Sequence, residues 1–279
     1  MPTDVYELFR VSLIKRPQAD MFAGEDHTRE EYLRAVFGER WTFEHYGTTI
    51  HYVPSDVKLG SEYILGRIGR AVKSVENAPP EAGFQETMRE GWKAAVVAVD
   101  PRDMVDGQKI AIQLERQLGK PLSLIRSFLN HVNGTWTTTA YTIEVQPIFN
   151  AETFWQFAEE NKGEVVSITF DFVVPNGLWT ASTSLRDELR AARETINAQE
   201  VSTTIKSPTG LDTDSKQIRE AVAYTETGSG AVRAKTRHGK TYSSATRAKQ
   251  TRVPINVQED KRDRLERAEA NLAKILGHE

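Results

Sequence analysis

The chain contains no cysteine among its 279 residues. Disulfide bonds and thiolate metal sites are therefore excluded, and this composition fits a reducing compartment. Long hydrophobic runs are also lacking, since the purest one, AAVVAV at 94–99, is much shorter than the roughly 18 residues that a membrane helix needs. The N-terminal stretch lacks the uninterrupted apolar core of a secretory signal. These absences predict a soluble, cytoplasmic protein.

The overall composition is that of a folded protein. Apolar residues make up 39% of the chain and charged residues 27%, which is too balanced for a disordered polymer. The length suffices for one large domain or two modest ones, each with its own core.

Local patterns predict a mixture of helices and strands. Thr28 and Glu31 form a capping-box signature that predicts a helix start, and Pro121 predicts another. Alternating runs on both sides of Gly47 predict a β-hairpin. EVVSITFDFVVP, at 164–175, is the clearest strand, whereas a proline pair and two glycines predict a loop at 77–91.

The C-terminal segment predicts an amphipathic helix. Its apolar stripe consists of Leu265, Ala268, Leu272 and Ile275. The stripe is expected either to pack on the first domain or to form a dimer contact.

Acidic residues are missing from one segment, Ala231–Pro254, which contains seven Lys or Arg. The net charge of the chain is −3, so the remainder carries −10. Positive charges that cluster in one segment repel one another unless a polyanion compensates them. The segment therefore predicts an anionic partner. Arg233, Lys235 and Arg237 alternate, RHGK at 237–240 is a plausible turn, and Arg247 and Lys249 alternate on the return. We expect a β-ribbon with a basic face.

Nucleic acid is the polyanion that this pattern favours. Lys206 and Arg190 add charge from neighbouring elements, and no recognition helix, zinc finger or RNA-recognition motif is present in the sequence. Contacts with phosphates position a duplex without reading its sequence, so sequence-independent binding is expected. The predicted DNA-binding residues are Arg190, Lys206, Arg233, Lys235, Arg237, Lys240, Arg247, Lys249 and Arg252.

Catalytic patterns are weak, and we predict no enzyme, no cofactor and no metal site. Asp100 and Asp171 are strand-associated carboxylates that could hold Mg²⁺ in a nuclease, but no Glu-x-Lys pair follows them. His45 and His51 could share a face of the first hairpin, without a third zinc ligand. Ala234 replaces the glycine that precedes the lysine of a phosphate-binding loop. A metal-dependent nuclease stays open as an alternative, as does an interaction module that binds an acidic partner through the basic face.

The order of elements resembles that of the RexA-type phage exclusion proteins. The likeness covers most of the chain. The segment with the greatest similarity in sequence is the IEVQPI strand, which leads to the FDF strand. This resemblance implies a homodimer that binds double-stranded DNA without sequence preference, in which a globular and a mobile domain frame a basic cleft. It also implies a role in prophage-mediated exclusion of other phages, beside a RexB-like membrane partner.

We therefore expect an α+β fold in two parts. One domain covers about 1–150 and is completed by the C-terminal helix at 253–279. A mobile α/β domain with the basic β-ribbon is inserted at 151–252, with hinges near Asn150 and Pro254.

Overall fold

The computed structural model describes residues 2–16, 28–55, 62–104, 107–173, 184–196, 198, 200–255 and 263–278. The strands within these ranges are β1 Thr3–Lys15, β2 Trp41–His45, β3 Thr48–Pro54, β4 Ile64–Asn77, β5 Glu86–Asp100, β6 Gln108–Gln113, β7 Tyr141–Pro147, β8 Val165–Val173, β9 Glu200–Lys206, β10 Gly230–Thr236, β11 Thr241–Ser243 and β12 Lys249–Pro254. The helices are α1 Arg29–Gly38, α2 Pro121–Thr135, α3 Glu152–Glu160, α4 Ser184–Ile196, α5 Lys216–Tyr224, α6 Arg264–Glu269 and α7 Leu272–Ile275. The expected α+β class is confirmed.

Eight strands form a large antiparallel sheet in the order β12-β1-β6-β5-β4-β3-β2, with β7 also paired to β1. The long strand β1, which the sequence analysis did not assign, organises this sheet. Its first half pairs with β12 and its second half with β7, so these two strands lie end to end along one edge of β1.

The two faces of the large sheet are covered by different helices. On one face, α1 and α2 bury an aromatic core that includes Phe37, Tyr52 and Phe128. The capping box at Thr28 and the proline start of α2 are both present as predicted. On the other face, Ala268 and Ile275 are buried against the sheet. The C-terminal stripe therefore packs on the first domain, although a turn at Ala270 and Asn271 divides the predicted helix into α6 and α7.

Four strands form a second antiparallel sheet in the order β11-β10-β8-β9. Its inner face carries residues such as Ile168, Phe170 and Val232, which pack with α3, α4 and α5 in a separate core. Most outward residues on the same strands are polar or charged, with Val173 and Ala231 as exceptions. The alternation of apolar and polar residues thus sets which face is buried.

Both connections between the two sheets meet at β1. Ile148 donates its backbone N–H to the carbonyl oxygen of Leu8 (3.1 Å), and Lys249 donates to the carbonyl oxygen of Ile148 (2.6 Å). The guanidinium of Arg10 on β1 donates a hydrogen bond to the hydroxyl of Ser229. The chain returns to the first sheet at Lys249, so residues 249–252, which the sequence assigned to the inserted part, belong to the large sheet.

A long two-stranded hairpin extends from the large sheet. Beyond Gly69 and before Val97, β4 and β5 pair only with each other within the described strands. We call Arg70–Lys93 the arm. The expected loop at 77–91 is wrong, because the turn that joins the strands covers only 78–85 and residues 86–91 continue β5.

None of the helices in the described part of the chain is both long enough and apolar enough to cross a membrane.

Candidate nucleic-acid interface

The outward face of the second sheet combines cations with hydroxyl groups. Backbone pairing aligns Lys206, Ser167, Lys235 and Thr241 across the four strands. The next row on the same face contains Thr204, Thr169, Arg233 and Ser243. Directly paired residues share one face of an antiparallel sheet, so these side chains form a single surface.

Two lysines lie on opposite sides of Ser167 in the first row. Lys206 and Lys235 are both exposed, and one strand separates their strands, which places their backbones about 10 Å apart. Among the described residues, neither lysine forms an ion pair. Both ammonium groups are therefore available to an external anion.

Arg233 is held in a fixed position on the second row. Its Nη2 donates to Oδ2 of Asp171 (2.7 Å), and Asp171 also accepts a hydrogen bond from Ser202 (2.8 Å). The ion pair is more than one-third exposed on both sides, so it orients the guanidinium more than it stabilises the fold. Asp171 reduces the positive potential at this end of the face.

The β10–β11 turn extends the positive charge beyond the edge of the sheet. Arg237 and Lys240 are exposed on either side of Gly239, whose positive φ of 84° allows the tight turn. The Oε2 atom of Glu164 lies 3.9 Å from Nε of Arg237 and 3.4 Å from Nε2 of His238. Lys240 has no acidic partner in the described part of the chain. The basic end of the face therefore contains Lys206, Lys235, Arg237 and Lys240.

The predicted return strand of the ribbon is wrong. The β10–β11 pairing covers only Arg233–Lys235 and Thr241–Ser243, because the hydroxyl of Ser244 accepts the N–H of Val232 (2.9 Å) in place of a backbone partner. A 3₁₀ turn at Ser244–Thr246 then directs the chain to the first sheet.

Several predicted site residues consequently lie away from the basic face. Arg247 covers the ring of Tyr242 at 5.0 Å, and that ring faces the buried core. Lys249 and Arg252 lie on β12 in the large sheet, three positions apart and hence on opposite faces of the strand. Arg190 lies on α4, a helix that contributes Leu189 to the inner core; its side chain is outside the described residues.

Sequence reasoning missed the hydroxyl groups of the face. Ser167 and Thr169 alternate with apolar residues on β8, a period-two signal that was present in the sequence. Ser202 and Thr204 project from the same face of β9. The hydroxyls of Thr169 and Thr204 are 3.0 Å apart. Hydroxyls can donate to phosphate oxygens, so they extend what the cations can bind.

The candidate metal ligands of the sequence do not converge. His45 lies on the helix-covered face of β2 and contacts Ser127 (2.8 Å), whereas His51 contacts Thr42 (3.0 Å) on the opposite face. The expectation that they share a face is therefore wrong. Among the described residues, no three His, Asp or Glu side chains form a group that could hold a metal ion.

The two aspartates considered for a nuclease lie on different sheets and have structural partners. Asp100 is buried and accepts hydrogen bonds from Arg102 (2.9 Å) and from His278 (2.8 Å). Burial alone would raise the pKa of Asp100, but these bonds hold it below its ordinary value. Asp100 thereby links His278, close to the end of the chain, to the first sheet. Asp171 belongs to the second sheet.

Comparison with protein-family models, characterised proteins and solved structures found no match to this chain.

Proposed function

We propose that the protein binds double-stranded DNA without sequence preference through the outward face of its second sheet. The observation that carries this proposal is the row of Lys206 and Lys235 around Ser167, joined by Lys240 at the turn. These cations have no acidic partner among the described residues, and hydroxyls surround them. Phosphate contacts of this kind supply sequence-independent affinity.

A duplex fits the chemistry of this face better than a single strand does. Proteins that bind single strands stack bases on aromatic side chains. Within the described residues, the rows of the outward face consist of Lys, Arg, Asp, Glu, Ala, Val, Ser and Thr, without an aromatic ring. A surface with such side chains contacts phosphates and leaves the bases paired.

The protein acts as a homodimer on this proposal, and the arm offers the surface for it. Val75, Met88 and Trp92 project from one face of the arm and are 53%, 63% and 66% exposed. A two-stranded hairpin is at best marginally stable alone in water, so a partner on this face would stabilise it.

The charges of the arm fit a second copy of the same chain. On the face that carries Val75 and Met88, Lys73 lies nearer the base of the arm and Glu86 lies toward its far end. Arg70, Lys93 and Glu76 project from the opposite face. Two arms related by a two-fold axis and lying antiparallel through this face would bring Lys73 of each toward Glu86 of the other. The dimer would carry two basic faces for one duplex.

The resemblance to RexA-type proteins suggests the cellular role in which this DNA binding would be used. A nonspecific DNA-binding homodimer would act in prophage-mediated exclusion of other phages, with a RexB-like membrane protein as its partner. The basic face would then be the part that detects DNA.

The test is the affinity for two unrelated 30-base-pair duplexes, measured by fluorescence anisotropy. We expect equal affinities for both duplexes. Lys206→Glu together with Lys235→Glu should weaken binding at least about 30-fold, because each reversal removes a charged contact and adds a repulsive one. The control is Lys162→Glu with Lys216→Glu, which makes the same charge change on exposed residues of the helical side. Equal losses in both variants would contradict the proposed surface.

A further inference from the structure

A second concentration of positive charge lies in the first part of the molecule. A cavity of about 770 Å³ opens where the base of the arm meets the β2–β3 turn and the start of α2. Arg70, Lys73, Arg116 and Lys120 line it, and its lining residues in the described part of the chain include no Asp or Glu. Lys73 is engaged with Glu90 outside the lining (3.2 Å). Three cations therefore face the cavity without a carboxylate.

Arg70 is held in place although it has no acidic partner among the described residues. Its Nη2 donates to the carbonyl oxygen of Gln117 (2.5 Å), while its Nε is buried and has no hydrogen-bond partner in the described structure. An anion in the cavity would contact the accessible part of the guanidinium, because the Nε itself has almost no accessible surface. Arg116 and Lys120 add like charge nearby, and an anion would relieve their mutual repulsion.

The start of α2 favours an anion as well, whereas His45 adds no charge to the cavity. Helix α2 begins at Pro121, directly after Lys120 and without a side-chain cap, so its first-turn N–H groups add positive potential. His45 is buried at the side of the cavity. Burial, followed by the charge of Arg70, lowers the pKa of His45, so the imidazole is neutral at physiological pH.

The rim of the cavity carries an exposed aromatic ring in an unfavourable backbone conformation. Tyr46 has φ 48° and Gly47 has φ 72° in the two-residue turn between β2 and β3. Asn-Gly is the sequence that such a turn prefers, and a tyrosine with positive φ is disfavoured. The side chain of Tyr46 is nevertheless 88% exposed. It also borders an adjoining cavity of about 690 Å³ beside α2, so one face of the ring is open to a flat ligand.

We propose that this cavity binds a free nucleoside phosphate, with the phosphates on Arg70, Arg116 and Lys120 and the base against Tyr46. Cations with planar or flexible donors bind phosphate oxygens, and aromatic rings stack on bases of any sequence. The site uses elements of the first sheet, so it is separate from the DNA-binding face of the second sheet. Binding here would tie the base of the arm to α2.

The test is calorimetric titration of the full chain with ATP, adenosine and pyrophosphate at low salt. ATP should bind more tightly than either fragment, because only ATP engages both the cations and Tyr46. Arg116→Glu with Lys120→Glu should weaken ATP binding at least about tenfold, equivalent to about 1.4 kcal/mol. Lys162→Glu with Lys216→Glu, which has the same net charge, should leave it unchanged. No ATP binding by the folded protein at millimolar concentration would overturn the proposal.

Tyr46→Asn separates a ligand-binding role from a structural one. Asn-Gly favours this turn, so the variant should be at least as stable to heat as the parent protein. Its ATP affinity should nevertheless fall at least about fivefold, because base stacking is lost. Unchanged ATP affinity in this variant would show that Tyr46 does not stack on the base. The proposal that the ligand is a nucleoside phosphate would then be overturned.

Two further titrations separate this site from DNA binding. Lys206→Glu with Lys235→Glu should bind ATP normally, so a failure at either site can be recognised independently. Single-stranded (dT)₁₀ should compete weakly with ATP. Tighter binding of (dT)₁₀ than of ATP in the cavity would overturn the free nucleotide in favour of a nucleic-acid strand.

Discussion

Two exposed sheet faces of this molecule share their backbone geometry and differ in the side chains that they present. The second sheet places Lys206, Lys235 and hydroxyl groups on its outward face. The arm of the first sheet places Val75, Met88 and Trp92 on one of its faces. Both arise from period-two alternation in antiparallel strands. On the proposed function, the outward residues decide the class of partner, a polyanion for the second sheet and an apolar surface for the arm.

Breaking the arm should have the largest effect on assembly. Replacing Val75, Met88 and Trp92 together with Ser should convert a dimer into a monomer of 31.4 kDa, because the apolar contact is lost. These side chains are more than half exposed, so the monomer should stay folded. DNA affinity should fall about tenfold as one basic face is lost. Light scattering coupled to size-exclusion chromatography measures the mass.

The matched control lies on the opposite face of the same arm. Ser74 and Thr87 project there, and their replacement with Ala should leave the mass of the assembly unchanged. A parent protein that is already monomeric, or a triple variant that stays dimeric, would show that the arm is not the interface.

Asp171→Asn should raise the affinity of the basic face for a DNA duplex moderately. The change removes the carboxylate that pairs with Arg233, so the face gains one net positive charge and Arg233 becomes available to phosphate. Duplex affinity should rise about threefold at low salt and less at high salt, because salt screens exposed charges. Anisotropy titration is the measurement, and Asp187→Asn, an exposed carboxylate on α4, is the control. Weaker duplex binding would mean that Arg233 acts only when Asp171 orients it.

The smallest loss of duplex affinity is expected for the residues that the sequence placed on the ribbon but that the structure places on other surfaces. Changing Arg247, Lys249 and Arg252 to Ala should lower duplex affinity less than about threefold, since these side chains lie on other surfaces. The same number of charges removed at Lys206, Lys235 and Lys240 should lower it far more. Equal losses would restore the predicted ribbon.

Local patterns predicted much of the second sheet, because each of its strands alternates within a few residues. EVVSITFDFVVP contains β8, and alternation at Arg233 and Lys235 places both on the outward face. The capping box at Thr28 and the proline start at Pro121 are local signals too, and both helix starts are confirmed.

The features that the sequence did not predict depend on pairing between strands that are far apart in the sequence. Lys249 continues a basic pattern in sequence, yet its strand pairs with β1 near Leu8, a contact that no local signal encodes. The loop expected at 77–91 contains β5 residues because β4 supplies their partners. The cavity beside Tyr46 joins three separate segments, so only the folded structure reveals its charge.

The salt dependence of duplex binding tests the central claim most directly. On the proposed function, Lys206, Lys235 and Lys240 from each protomer would provide about six phosphate contacts per dimer, which predicts a slope near −5 when the logarithm of affinity is plotted against that of salt concentration. The measurement is anisotropy with an arbitrary 30-base-pair duplex between about 50 and 200 mM salt. The account predicts tight binding at low salt, this slope, and no dependence on sequence. Undetectable binding at 50 mM salt, or an affinity that salt leaves unchanged, would contradict it.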